Sequence, residues 1–262
     1  MVCINCEFTY EGKFCPNCSQ KAHTHRFSVA HFAHEAFHAV THTDKGIFFL
    51  IKELFKNPGR VAREYNEGKR KKYFNPVTFL LIVLALQIYA GQKTNIYDSY
   101  LDQTTAFVLR LAKNVPDPKG EGVRQLDAAK KNLQEGKMRS AKITENNKVI
   151  TFVLLPVLAL LTWLLFKRSG FNYAENLVFN VIIAGQLCVI FLLTCVVPFL
   201  IYPPSIMILM LLYLVSWWIY SFIAYRQFFK QRWGWVILKG TVIQVIYLII
   251  VSQVGNLVVA YM

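Results

Sequence analysis

Residues 177–201 read LVFNVIIAGQLCVIFLLTCVVPFLI, twenty-five positions without one acid or base. As a helix rising about 1.5 Å per residue, such a run exceeds a hydrocarbon core of about 30 Å. Four further apolar blocks flank it, at 76–91, 149–166, 205–225 and 236–262. The first is short for a span unless Tyr73 and Phe74 extend it at the interface. The last carries Lys239 near its start, where the ammonium can snorkel to the headgroups. Across 262 residues, 55% are hydrophobic and only 17% charged, with mean hydropathy +0.35. A soluble domain carries about 25% charge. These figures exclude a disordered chain, a collagen-like repeat and a disulfide-stapled secreted domain, and weigh strongly against a soluble enzyme with one globular core. The expected fold is an all-α polytopic membrane protein of about five transmembrane helices.

Lys and Arg number 29 against 15 Asp and Glu, a formal charge of +14. Their placement favours a membrane role over nucleic acid. Lys69, Arg70, Lys71 and Lys72 precede the first block, Lys167 and Arg168 follow the second, and Arg226, Lys230 and Arg232 follow the fourth. With five spans all three clusters share one side, so the positive-inside rule predicts a cytoplasmic N-terminus and an extracytoplasmic C-terminus. Segment 92–148 holds 11 Lys and Arg and must lie outside; long segments translocate largely regardless of charge. Residues 1–30 contain no apolar stretch of the kind a cleaved signal peptide needs.

The amino terminus carries Cys3-x2-Cys6 and, after eight residues, Cys15-x2-Cys18. Two such pairs wrap two turns around one soft divalent ion, and four thiolates in a tetrahedron suit zinc best. A redox dithiol and an iron–sulfur site are the alternatives. A ribbon of this size has no core of its own and folds around its ion. With every ligand supplied by protein, the zinc is structural. Cys188 and Cys195, inside the third block, read as small buried hydrophobes.

All six histidines lie between residues 23 and 42. Ser28 is a predicted N-cap for a helix over Val29 to His42, which gathers His31, His34, Glu35, His38 and His42 on one stripe. Within it His34-Glu35-Ala36-Phe37-His38 satisfies H-E-x-x-H, in which two His bind zinc and the Glu activates water. Abundant His makes this pattern easy to meet by chance, and a third ligand would have to come from a carboxylate such as Asp44, Glu53, Glu64 or Glu67. A solvated or lipid-facing polar stripe is the leading reading. A second ion on His34 and His38, with Glu35 as the one catalytic candidate, is the sharper one.

Ile47 to Phe55 is too short to span and reads as an interfacial or re-entrant helix. Asn57-Pro58 predicts a second helix start, with Asn as cap, ending at Gly68; Asn75-Pro76 repeats the device at the first span. Such helices lie along the membrane, drawn by anionic lipid. Inside the spans the polar residues are amides, Asn180, Gln186, Gln244, Gln253 and Asn256, which more often join helices than conduct a solute. No span has a central Asp, Glu, Arg or His, which argues against proton-coupled transport. Segment 92–148 is expected to form two outer helices, near Tyr97 to Lys113 and Val123 to Arg139.

The cysteine pairs, the HEAFH segment, Lys45-Gly46-Ile47-Phe48 and Asn57-Pro58-Gly59 occur in a recognisable order. Gly68-Lys69-Arg70, Tyr73, Pro76, Leu155-Pro156 and Tyr173-Ala174-Glu175-Asn176-Leu177-Val178-Phe179 continue it. In these features the chain resembles the domain-of-unknown-function 3667 family over nearly its whole length. The resemblance implies a multi-pass protein of the bacterial inner membrane with a zinc-ribbon head, and it brings no activity. Ser19 stands where such ribbons commonly have Gly.

The expected layout is a zinc ribbon (1–22), a cytoplasmic His-rich and amphipathic interfacial region (23–75), a first span (76–91), an extracytoplasmic helical loop (92–148) and a four-helix membrane domain (149–262). The function expected of it is non-enzymatic docking, scaffolding or sensing. Its partners are membrane lipids and a cytosolic protein at the ribbon, with nucleic acid disfavoured. A membrane-associated zinc hydrolase using HEAFH and a channel or lipid or solute transporter are the competing classes.

Overall fold

The computed structural model describes residues 1–24, 26–29, 46–113, 131, 135–136, 147–203 and 206–261. His25, His31, His34, Glu35, His38, His42 and Asp44, with the helix expected over 29–42, lie outside the described residues apart from Val29. So does most of the second outer helix expected over 123–139. The described residues form an amino-terminal head with two isolated bridges, Val2 with Thr9 and Phe14 with Lys21, followed by helices. These are α1 (Ile47–Lys56), α2 (Pro58–Asn66), α3 (Pro76–Thr94), α4 (Ile96–Lys113), α5 (Asn147–Leu165), α6 (Tyr173–Ile201), α7 (Ile206–Phe229) and α8 (Trp233–Tyr261). Among the described residues four of them, α3, α6, α7 and α8, are long and apolar enough to cross a membrane. The apolar part of α5 described, Val153–Leu165, is shorter. The all-helical membrane architecture expected from the sequence is therefore present.

The chain divides into two compact units. The first holds Met1–Leu84, Phe152–Cys188 and Trp217–Leu248; the second holds Ala85–Thr151, Val189–Ser216 and Ile249–Met262. Each of α3, α5, α6, α7 and α8 contributes one part to each unit. The connectors 166–172 and 230–232 belong to the first unit, as does everything before α3.

In the first unit, helices approach closely where glycine leaves room. A Cβ on Gly185 of α6 would stand 2.7 Å from the Phe79 ring of α3, and one on Gly240 of α8 would stand 2.8 Å from the Phe222 ring of α7. Small residues permit such contacts between spans. An aromatic cluster joins the connector after α5 to α6 and α7: Phe166 stacks on Phe229 at 4.0 Å, and Phe179 meets Phe228 at 4.4 Å and Tyr225 at 5.8 Å. Of the amides, Asn180 joins helices as expected, its Nδ2 donating to Thr162 Oγ1 of α5 at 2.9 Å. Gln186 and Gln244 are equally buried, yet their side-chain atoms have no partner among the described residues.

The helix α1 buries Leu50 and Leu54 and exposes Phe48, Phe49 and Phe55, an arrangement suited to an interface. The following helix, α2, turns its apolar face into the protein: Val61, Ala62 and Tyr65 are buried, with Arg60 exposed on the other side. Asn57 occupies the cap position but its side chain makes no cap bond. Gln227 of α7 caps α2 instead, its Oε1 accepting from the N–H groups of Gly59 (3.0 Å) and Arg60 (3.4 Å). Asn75 does cap α3, accepting from the N–H of Val77 and Thr78. Between these helices Glu64 accepts from Lys72 Nζ and Tyr73 Oη, both at 2.7 Å. Burial alone would raise the Glu64 pKa, but the hydrogen bonds from Lys72 and Tyr73 outweigh it and hold the carboxyl below its ordinary value. Tyr73 is pushed up to about 12 by its burial and then by Glu64.

In the second unit, Ile96, Phe191, Cys195, Val196, Phe199, Ile206 and Leu209 form the core. Pro198 has no N–H to give the preceding turn, and the backbone ahead of it widens into a π-turn over Leu192–Val196. Cys195 is buried and donates to Leu209 O, as a small core residue rather than a ligand.

Gly59 is the tightest approach. A Cβ there would collide with Ala224 O and stand 2.6 Å from Gln227 Cβ and Phe228 N. Gly59→Val is expected to destabilise the protein by about 1–3 kcal/mol, whereas Gly234→Ala, which meets nothing within 4 Å, stays within about 0.5 kcal/mol. Thermal unfolding in detergent measures both. Because the Glu64 pKa is depressed on folding, its stabilisation is present above the ordinary carboxylate range and is lost as pH falls below it. Glu64→Gln should flatten the acid limb of a stability-against-pH curve while leaving the neutral-to-alkaline region parallel to wild type.

Candidate metal centre and its anchorage

The head is two copies of one turn. In the first, Cys3 N–H donates to Phe8 O and Glu7 N–H to Cys3 O; in the second, Cys15 N–H donates to Gln20 O and Ser19 N–H to Cys15 O. Each turn closes through a left-handed residue, Glu7 at φ 63° and Ser19 at φ 58°. Gly usually supplies that conformation, so Ser19 keeps the ribbon turn without it.

The turns bring four sulfurs together. Cys3, Cys6, Cys15 and Cys18 offer sulfur atoms all within 4.8 Å of one another, with Cys3–Cys18 and Cys6–Cys15 at 3.6 Å. All four are free thiols, far beyond the disulfide length of about 2.05 Å. Metal–sulfur bonds of about 2.3 Å in a tetrahedron put sulfurs about 3.8 Å apart, so the set fits one ion. Cys3 and Cys15 are buried, and the backbone N–H of Phe8 pulls the Cys6 thiol down to about 6. The four residues predicted from spacing are thus the four brought together. No position in the set is left for a substrate.

Gln20 at the end of the head and residues after it anchor it to the helices. Gln20 Oε1 accepts from Lys71 N–H. Phe27 is buried, stacked on Tyr65 at 5.9 Å, with the Arg70 guanidinium 3.7 Å over its ring, and its carbonyl accepts from Asn172 Nδ2. Arg26 grips Glu175 with two nitrogens, Nε to Oε1 at 2.7 Å and Nη2 to Oε2 at 2.6 Å, and also donates to Gly170 O. Glu175 is 4% exposed at its side chain, Arg26 65%.

Glu175 also completes the start of α6. Its Oε2 accepts from Asn172 N–H, while Asn172 Oδ1 accepts from Glu175 N–H. This is a capping box with Asn at the cap and Glu three residues on. The carboxylate is further favoured by the positive end of the helix dipole. Asn66 of α2 donates to Glu175 O, tying in one more segment. The spacing Asn172-x-x-Glu175 ahead of an apolar run was the available signal for this site, but nothing in it points to Arg26.

Residues 44–88 match the family model described as "Protein of unknown function (DUF3667)", which agrees with the resemblance carried by the motifs of that segment. The matched range includes α1, α2 and the first part of α3. No curated protein and no solved structure matches the chain.

Glu175→Ala leaves the Asn172 N–H and the Arg26 fork without their acceptor. With Arg26 largely in solvent, the expected cost is about 1–3 kcal/mol. The linker should also loosen: limited proteolysis of the folded protein should cut near Arg26 faster in the variant than in wild type. Unchanged cleavage would mean that the pair does not hold the head.

Proposed function

We propose that the chain is a non-enzymatic docking protein of the bacterial inner membrane, with a structural zinc in a cytosolic head that presents a surface to a soluble partner. The observation that carries this reading is the head's inversion: its metal ligands point inward, while Val2, Ile4, Phe8 and Phe14 are exposed. Apolar side chains left in solvent on a head of this size are available for contact rather than chemistry. A closed four-thiolate site supports structure and offers no open coordination position. Zinc is the ion that this all-sulfur, tetrahedral donor set suits best.

The orientation rests on charge. Lys69 to Lys72, Lys167, Arg168, Lys230 and Arg232 all belong to the unit that contains the head. Under the positive-inside rule that favours a cytosolic head and a C-terminus on the opposite face.

Purified full-length protein should hold one zinc per chain by elemental analysis, and Cys3→Ser with Cys15→Ser should abolish it. A photo-crosslinking side chain placed at Phe14 should give a discrete adduct with a soluble protein in cells, absent from the cysteine variant. Zinc at one per chain without any metal-dependent adduct would retain the structural ion and defeat the docking role.

A further inference from the structure

Beside the aromatic cluster of the first unit, at its connectors, lies a cavity of about 690 Å³ that the docking role does not use. Three cations line it: Lys167 and Arg168 from the connector after α5, and Lys239 from α8. No described carboxylate pairs with any of them. What holds them is weaker. Lys167 lies 5.6 Å over the Trp163 ring, and Lys239 lies 5.0 Å over Phe166 and 5.9 Å over Trp235, donating to Gln231 Oε1 at 3.1 Å. Ring faces and an amide oxygen orient an ammonium without neutralising it. Elsewhere in this unit cations do find acids: Arg26 on Glu175, Lys72 on Glu64 and Arg63 on Glu67. Here, by contrast, three cations without an acid line one cavity.

The remaining walls are apolar. Leu164, Leu165 and Trp235 supply them, with Leu164 and Trp235 more than half exposed. Leu164 ends an apolar helix and Trp235 begins another, so both lie where a span meets the headgroup zone, the level that Trp favours. A cavity lined by three cations together with Leu and Trp side chains matches an anionic amphiphile.

We propose that this cavity binds the phosphate headgroup of an anionic phospholipid, with Lys167, Arg168 and Lys239 around the phosphate and Leu164, Leu165 and Trp235 along the first carbons of its chains. The shared chemistry with a free phosphate is the cationic trio; the apolar walls assign the ligand to the bilayer. This site stands apart from the docking role of the head and does not depend on it.

Native mass spectrometry of the full-length protein in detergent tests the assignment, using an anionic phosphoglycerol lipid and a phosphocholine lipid with the same acyl chains. Wild type should retain one anionic lipid with at least about tenfold preference over the zwitterionic one; each cation near a phosphate is worth about fivefold. The triple variant Lys167→Gln, Arg168→Gln, Lys239→Gln should lose that preference. Removing three cations elsewhere, with Lys52→Gln, Lys56→Gln and Lys71→Gln, should leave it. Equal retention of both lipids by wild type overturns the proposal, and that comparison needs no variant. Displacement of the retained lipid by millimolar inorganic phosphate would reassign the cavity to a soluble anion and also overturn it.

Discussion

A carboxylate sunk at the mouth of an apolar helix is tolerated only if its lone pairs are answered, and Glu175 is answered from three directions. The Arg26 fork takes both oxygens, the Asn172 N–H takes one again, and the positive end of the α6 dipole lies beside it. That requirement draws the linker after the head, the connector at Gly170 and the first turn of α6 to one point. The backbone oxygen of the same residue holds Asn66 of α2. Remove the carboxylate and the linker at Arg26 loses the acceptor that holds it to the start of α6, 149 residues further along the chain.

The head depends on this anchorage because it has little else. Its buried hydrophobic residues are Tyr10 and the sulfurs of Cys3 and Cys15, with Cys6, Cys18 and Ala22 packed against them. Such a nucleus is too small to exclude water by burial alone, and a head of this size relies on what its four thiols could bind inside and on a tether outside. The tether holds the exposed Phe8 and Phe14 on a frame joined to the helices by Gln20, Arg26 and Phe27. Rigid presentation lowers the ordering cost of any contact made there.

Hydropathy and motif spacing encode much of this architecture. The spans appear as apolar runs because a bilayer imposes a length and a composition on each helix independently of its neighbours. The four thiols appear as two CxxC steps because the chain between ligands is too short to do anything but turn. Asn75 caps α3 as its Asn-Pro step indicates. At the identical Asn57-Pro58 step the cap bond is instead made by Gln227, which lies on α7 and reaches Gly59 only because that residue lacks a side chain. The helix α2, amphipathic on paper, finds the protein rather than the lipid as the home for its apolar face. Periodicity reports that a face must be covered; it is silent about the cover.

From the amino acids alone follow the membrane-crossing helices, the thiolate quartet and the charge asymmetry, since each is set by local composition or by neighbours a few residues apart. Tertiary structure alone decided that Arg26 belongs to Glu175, that Gln227 caps α2, and that Lys167, Arg168 and Lys239 ring one cavity without an acid among them. These pairings join positions separated by 70 to nearly 170 residues. Charge and hydrogen-bonding capacity are written in each side chain, but which partner satisfies them depends on where packing brings the helices to rest.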